Sequence, residues 1–295
     1  MITFSSIREL VDAANSQNAR ISSIALAQTA LDEECGIQDA YDKMQRAYAV
    51  MRQSALDGLA PGLRSVSGLS GGGALKMKNR AKGGQSLAGP FFSEVVCSAL
   101  AVSESNACMG RIVAAPTAGS SGVLPACLTA LEKYHNIDEK TIVMGLINAA
   151  AVGMVIAKNA SIAGASGGCQ AECGSAAAMA ASAMTEIMGG TPDQCAAAVA
   201  QALKSLMGLV CDPVAGLVEE PCVIRNVSAA AVAIAAAELA LAGIETNIPA
   251  DEVIFAMDKV GKSLPAALRE TGFGGVAATP TGRAVARRMG AAAEE

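Results

Sequence analysis

Between Phe91 and Leu241 the chain runs through long stretches of alanine and other small apolar residues, with larger apolar side chains returning at helical spacing. That pattern restricts the fold severely. Alanine is the strongest helix former, and its single methyl lets neighbouring helices approach closely. No run of alternating β-branched residues is long enough to found a sheet. The spacing predicts helices over 91–105, 121–134, 139–160, 170–188, 192–210, 224–242 and 250–260. With 3% aromatic residues and no Trp, the core must be filled by Leu, Ile, Val, Met and Ala. Hydrophobic residues at 52% against 17% charged supply ample material for it. The expected fold is all-α, a single globular helical domain over 1–295 with glycine-rich loops.

The first sixty residues read as three amphipathic helices. Ile7, Leu10, Val11 and Ala14 form one apolar face behind a Ser5 cap. Ile37, Tyr41, Met44, Tyr48, Met51 and Ala55 form another, stopped by Gly58 and Pro61. The second stripe suits a core face or a docking surface, with the core preferred. Residues 60–90 change character. Ser67-Gly68-Leu69-Ser70-Gly71-Gly72-Gly73, ahead of Lys76, is too glycine-rich for a helix interior, and Lys82-Gly83-Gly84-Gln85 is a second loose stretch. Thr191-Pro192-Asp193-Gln194 has the form of a capping box, and Gly189-Gly190 and Gly243 are helix stops. Neither an internal repeat nor a low-complexity linker divides the chain. One domain is expected, with N-terminal helices over 1–60 and a core over 61–285.

Charge and hydropathy remove several function classes. The net charge is −5 and no basic stripe with interleaved aromatics occurs, so nucleic acid is not an expected partner. Met1–Leu10 lacks the form of a secretory signal. The longest uncharged apolar stretch, Thr141–Ala157, falls short of the ~20 residues of a membrane span and carries Asn148. A cytoplasmic protein is expected. Nine cysteines, odd in number and scattered, argue for small core residues or metal ligands over a disulfide framework.

Three segments are too polar for connectors in so apolar a chain: Ser70–Met77, Asn106–Arg111 and Ala115–Gly122. A helix opened by Ser and Gly presents free N–H groups and a positive dipole end, which suits a carboxylate. Lys76 and Arg111 add positive charge. Taken singly, each segment is as well explained by a Ser cap, a Gly turn and a solvated cation. Together they favour a small anionic ligand, with Ser70, Gly71, Gly72, Asn106, Arg111, Thr117, Ser120 and Ser121 as its contacts. No phosphate loop of the GxxxxGK[ST] type is present.

Cys169, Cys211 and Cys222 lie at helix ends or in Gly/Pro-shaped loops, where backbone N–H groups are free to face a negatively charged sulfur. Cys97, Cys127 and Cys195 sit inside helical runs, where any small apolar residue would serve. The spacing is not that of a ferredoxin or zinc ribbon, so it leaves a metal site open without requiring one.

The segments S-G-G-G-A-L-K-M (70–77), N-A-C-M-G-R-I-V-A-A-P-T-A-G-S-S-G (106–122), G-C-Q-A-E-C-G-S-A (168–176) and C-D-P-V-A-G-L-V-E-E-P-C-x-x-R-N (211–226) resemble the iron–sulfur L-serine dehydratase family, from about residue 60 to 285. The last two motifs are the most specific. Length makes the chain similar to the alpha chain of the two-chain type. The resemblance implies conversion of L-serine to pyruvate and ammonia and a beta chain as partner. It also implies a [4Fe–4S] cluster on Cys169, Cys211 and Cys222, with Cys173 outside the ligand set. His135, the only histidine, sits in a polar turn and is not expected to be catalytic. The base stays open among Lys76, an activated serine and a residue of the partner. Two rival readings are a pyridoxal-phosphate dehydratase using Lys76 or Lys158, and a non-catalytic helical scaffold. The first lacks an α/β pattern, and the second leaves the polar turns unexplained.

Overall fold

A computed structural model describes residues 4–84 and 86–290; Gln85, of the second loose stretch, lies outside them. Among these residues there are thirteen α-helices and no strand, only one parallel backbone bridge between Cys211 and Arg269. The helices are α1 (Ile7–Ser16), α2 (Ile21–Asp32), α3 (Ile37–Asp57), α4 (Gly73–Lys82), α5 (Gly89–Ala107), α6 (Val123–Tyr134) and α7 (Glu139–Asn159). They continue as the single turn α8 (Gly164–Gly167), α9 (Ser175–Ile187), α10 (Pro192–Leu206), α11 (Cys222–Leu241), α12 (Ala250–Ser263) and α13 (Pro280–Arg288).

The all-α expectation holds, and its physical centre is α9. All 13 of its residues are buried. It packs against α6, α7, α10 and α11. Only a helix sheathed in small side chains can be surrounded this way, because each neighbouring axis must come within about 8–10 Å. Ala176, Ala177, Ala178, Ala180, Ala181 and Ala183 supply that surface. Facing glycines supply more of it: a Cβ on Gly145 of α7 would stand 2.4 Å from Ile187 Cδ1. Most polar groups inside are partnered, Ser22 Oγ and Ser175 Oγ being exceptions. Asn148 Nδ2 donates to Glu186 Oε2 at 2.9 Å, Ser182 Oγ to Asn148 Oδ1 at 2.7 Å, and Ser22 N to Glu186 Oε2 at 3.1 Å. Such a network makes one register of α2, α7 and α9 preferred over its neighbours.

The three N-terminal helices form as expected, with one change of cap. Ser6, not Ser5, accepts the Glu9 N–H at 3.1 Å, while Ser5 bonds the Glu9 carboxylate. The α3 stripe is a core face: Tyr48 and Met51 are 1% and 2% exposed, and only its first member, Ile37, is open at 59%. The Thr191 box closes in both directions, at 3.2 and 2.9 Å. By length and composition α7 and α11 could each cross a membrane. Both instead bury a long face in the helical core.

Two segments depart from expectation. Helix α4 begins inside the glycine run, after Gly72 takes a left-handed φ of 83°. Its missing cap comes from elsewhere in the chain: both oxygens of Glu104 accept from it, Gly73 N at 2.8 Å and Ala74 N at 3.1 Å. A carboxylate at a helix start satisfies two orphan donors and the dipole together. Helix α10 stops at Leu206, four residues short of the expected 210, and Gly208 at φ 87° turns the chain toward Cys211.

Two stability changes follow. Gly58 ends α3 so close to α5 that a Cβ would lie 1.9 Å from Ala101 O, so Gly58→Ala should cost about 3 kcal/mol in urea unfolding. Glu104→Ala, which strands two N–H groups in a buried position, should cost about 2 kcal/mol by the same measurement.

Candidate active site

The N-terminal end of α9 is where the chemistry collects. Gly168, at φ 75°, brings the chain within 2.8 Å (measured from its would-be Cβ) of Leu209 O, a position no side chain could share. Cys169 follows, then a π-helical turn over Gln170–Gly174 that runs into α9. A π turn widens the helix and re-aims its side chains, a common device at functional sites. Gln170 anchors it, donating to Met257 O at 3.0 Å and accepting from Gly208 N at 2.9 Å. Cys169 and Cys173 are both buried, their sulfurs 3.4 Å apart.

Two further cysteines approach from other elements. Cys211 is held in the one backbone bridge, donating its N–H to Leu268 O at 2.9 Å and accepting from Glu270 N at 2.7 Å. Cys222 is the first residue of α11. The loop between them is tied down at Arg225, whose Nη1 donates to Val210 O at 2.8 Å and pairs with Asp212 Oδ1 at 2.7 Å. Asp212 in turn accepts Val276 N at 2.7 Å. Cys169, Cys211 and Cys222 lie within electrostatic reach of one another. The hydrogen bond with Cys173 holds Cys169 below the ordinary thiol range. Burial, with the charge of neighbouring groups, pushes Cys222 up to about 12 and raises Cys211 as well. Cys97, Cys127 and Cys195 lie within α5, α6 and α10 and are likewise raised chiefly by burial, but none of them faces another cysteine.

The polar turns meet this end of α9 through a chain of hydrogen bonds. Thr117 Oγ1 donates to Glu172 Oε1 at 2.7 Å, while Glu172 Oε2 stands 3.9 Å from Cys211 Sγ. Burial raises Glu172, the Thr117 bond lowers it, and the net direction is up. Ser120 Oγ lies 3.2 Å from Thr117 Oγ1. Asn226, one turn after Cys222, accepts Gly122 N at 2.9 Å and donates to Gly119 O at 2.7 Å. Asn106 Nδ2 donates to Ala118 O at 3.3 Å. On the far side Ser67 Oγ donates to Glu219 Oε1 at 2.7 Å, and Ser65 Oγ accepts Ser70 N at 3.1 Å. Gly71 has no room for a side chain, since a Cβ would sit 2.2 Å from Leu63 O. Ser121 Oγ and Glu219 Oε2 are buried without a protein partner.

Of the residues picked out from the sequence, Ser70, Gly71, Gly72, Asn106, Thr117, Ser120 and Ser121 thus belong to turns bonded to one another or to the cysteine segments. Lys76 and Arg111 do not. Both are exposed, and neither makes a side-chain hydrogen bond or ion pair among the described residues. The α6 start, expected to present free N–H groups, is partly taken by Asn226, and the start of α4, in a stretch read from the sequence as a loop, is filled by Glu104. Sequence reasoning passed over Glu172, Glu219, Arg225 and Asn226, although all four lie inside the quoted motifs. Glu104 lies two residues before one. The signal was a carboxylate, amide or guanidinium flanking a cysteine or polar turn.

Four thiols gathered from three segments are the natural metal donors here. Among the described residues no three His, Cys, Asp or Glu side chains form a cage for a single metal ion. A cluster differs, because each thiolate takes its own iron and the sulfurs stand further apart. The donor set, soft thiols beside a fixed guanidinium, fits such a group. A cavity of about 550 Å³ between α1, α10 and the 243–251 segment lies elsewhere.

Comparison with known proteins gives a consistent result. The chain is 48% identical over 286 residues to the probable L-serine dehydratase, alpha chain, of Bacillus subtilis, covering 97% of this chain and 95% of that one. It is 42% identical over 280 residues to the L-serine dehydratase, alpha chain, of Peptoniphilus asaccharolyticus, covering 95% and 96%. L-serine dehydratase 2 of Escherichia coli is 43% identical over 181 residues, which span 61% of this chain but 40% of that protein. The sequence model described as Serine dehydratase alpha chain matches residues 8–277, and the chain belongs to that family.

Proposed function

We propose that this chain is the alpha chain of an L-serine dehydratase, a lyase that converts L-serine to pyruvate and ammonia with the help of a [4Fe–4S] cluster. The observation that supports this is the approach, at one end of α9, of the buried Cys169, Cys173 and Cys211 and the half-buried Cys222 to a hydroxyl-lined turn. Nine free cysteines suit a reducing compartment such as the cytoplasm. An all-helical fold disfavours a pyridoxal-phosphate reading, which was expected to need an α/β pattern.

Cys169, Cys211 and Cys222 would hold the cluster, with Cys173 beside Cys169 as a hydrogen-bonding neighbour. When bound, the cluster supplies a Lewis-acidic iron that makes hydroxide a better leaving group. The rest falls to the protein. Thr117, Ser120 and Ser121 present hydroxyls where the substrate carboxylate would lie, and the buried, unpartnered Ser121 Oγ supports that role. The raised carboxyl of Glu172, between Thr117 and Cys211, can hold a proton for the departing hydroxyl. The base for the Cα proton is left among Lys76, exposed on α4, a serine of the polar turns and a residue of the beta chain, so in this reading the beta chain covers or completes the site.

Changing Cys169, Cys211 or Cys222 to Ser should each lower iron per chain in anaerobically purified protein, whereas Cys195→Ala should not. Full iron in Cys211→Ser would refute the ligand set. Glu172→Gln, which keeps an acceptor for Thr117, should slow pyruvate formation by about a hundredfold with iron retained. At equal cluster content, adding the beta chain should raise pyruvate formation strongly. Equal turnover without it would place every catalytic group in this chain.

A further inference from the structure

The cysteine site holds one buried ion pair that the function above does not use. Arg225 stands three residues after Cys222 in the first turn of α11. Its contacts, Val210 O and the Asp212 carboxylate, flank Cys211 on either side. The Arg225 side chain is 17% exposed and that of Asp212 3%. Asp212 is itself immobile: Val276 N bonds its second oxygen, and Gly275 passes so close that a Cβ there would sit 2.0 Å from it. The guanidinium is near enough to Cys169 and Cys222 for their charges to be felt.

A buried ion pair is a poor way simply to fasten two loops. Its desolvation offsets most of the attraction, and apolar residues of the same size hold as well or better. Of the other groups that could carry charge nearby, Glu172 and Glu270 are carboxyls, and Arg269, bridged to Cys211 through the backbone, is a second cation whose Nε is buried without a partner. A cluster on three thiolates would bring more negative charge still. We propose that Arg225, the cation that the Asp212 pair holds in place, is a fixed positive charge that tunes the electrostatics of the cysteine site, and that Asp212 limits how much of it the site feels. The inference rests on the iron–sulfur reading. Arg225 is a positioning residue in it, acting through the ligand shell and not on the substrate.

The sign is testable. A nearby cation favours the more negative, reduced form of a cluster and raises its potential. Arg225→Gln removes the cation and leaves Asp212 unopposed, so the midpoint potential should fall. Asp212→Asn leaves the guanidinium unopposed, so it should rise. Arg225→Lys keeps the charge but loses the fork, so the potential should stay near that of the unchanged protein even with less iron bound. The experiment is anaerobic purification of the full chain, iron and sulfide analysis, and a redox titration followed by electron paramagnetic resonance of the reduced cluster. Opposite shifts in the Gln and Asn variants support the proposal. Shifts of the same sign, or none, overturn it and leave a structural clamp. If Arg225→Gln holds no cluster, retention in Arg225→Lys with a raised potential in Asp212→Asn supports it, and loss in both overturns it. An unchanged chain without iron and sulfide overturns the iron–sulfur reading itself, and is seen before any variant is made.

Discussion

Everything in this molecule depends on burying α9 from all sides. A 13-residue helix with no exposed residue must meet neighbours around its whole circumference, which side chains larger than alanine would hold apart. The alanine runs of α9, α10 and α11 therefore act together. Enclosure also explains the polar interior, where Asn148, Ser182 and Glu186 bond one another because no water reaches them.

Enclosure gives α9 two different ends. Its C-terminal end runs out into Gly189–Gly190 and the next helix. Its N-terminal end turns the positive side of the helix dipole toward the buried Cys169 and Cys173, where it favours negative charge. The π turn at Gln170–Gly174 places Glu172 and both neighbouring cysteines there. The segments that arrive, 117–122, 210–212 and 219–221 with the first turn of α11, are connections between helices and one helix start, where the chain is free to bend toward a site.

The same logic accounts for the carboxylates. Helix starts are good anion sites, and this protein has already filled the start of α4 with Glu104. The polar rim is held by Ser67 on Glu219, Thr117 on Glu172 and Asn226 on the 119–122 turn. Polar and carboxyl groups are thereby fixed before any ligand arrives, which is how a site lowers its reorganisation cost.

The sequence by itself determined the helical class, most helix spans, the Thr191 box and the grouping of cysteines into helix-interior and loop-borne sets. These are local matters, decided by alanine content, periodicity and the chemistry of glycine and proline. It also singled out the glycine-rich and Ser/Thr turns, since such residues have few other uses in so apolar a chain. What it did not hold was anything decided by partners distant in sequence. Helix α4 was read as a loop because its cap, Glu104, lies about thirty residues downstream. Lys76 and Arg111 were placed in the site by charge alone, yet nothing folds back to cover them. Glu172 was visible inside its motif, but its pairing with Thr117, 55 residues before it, was not. Only the tertiary structure, by closing a shell of helices around α9, decided which polar side chains meet at its end and which stay in water.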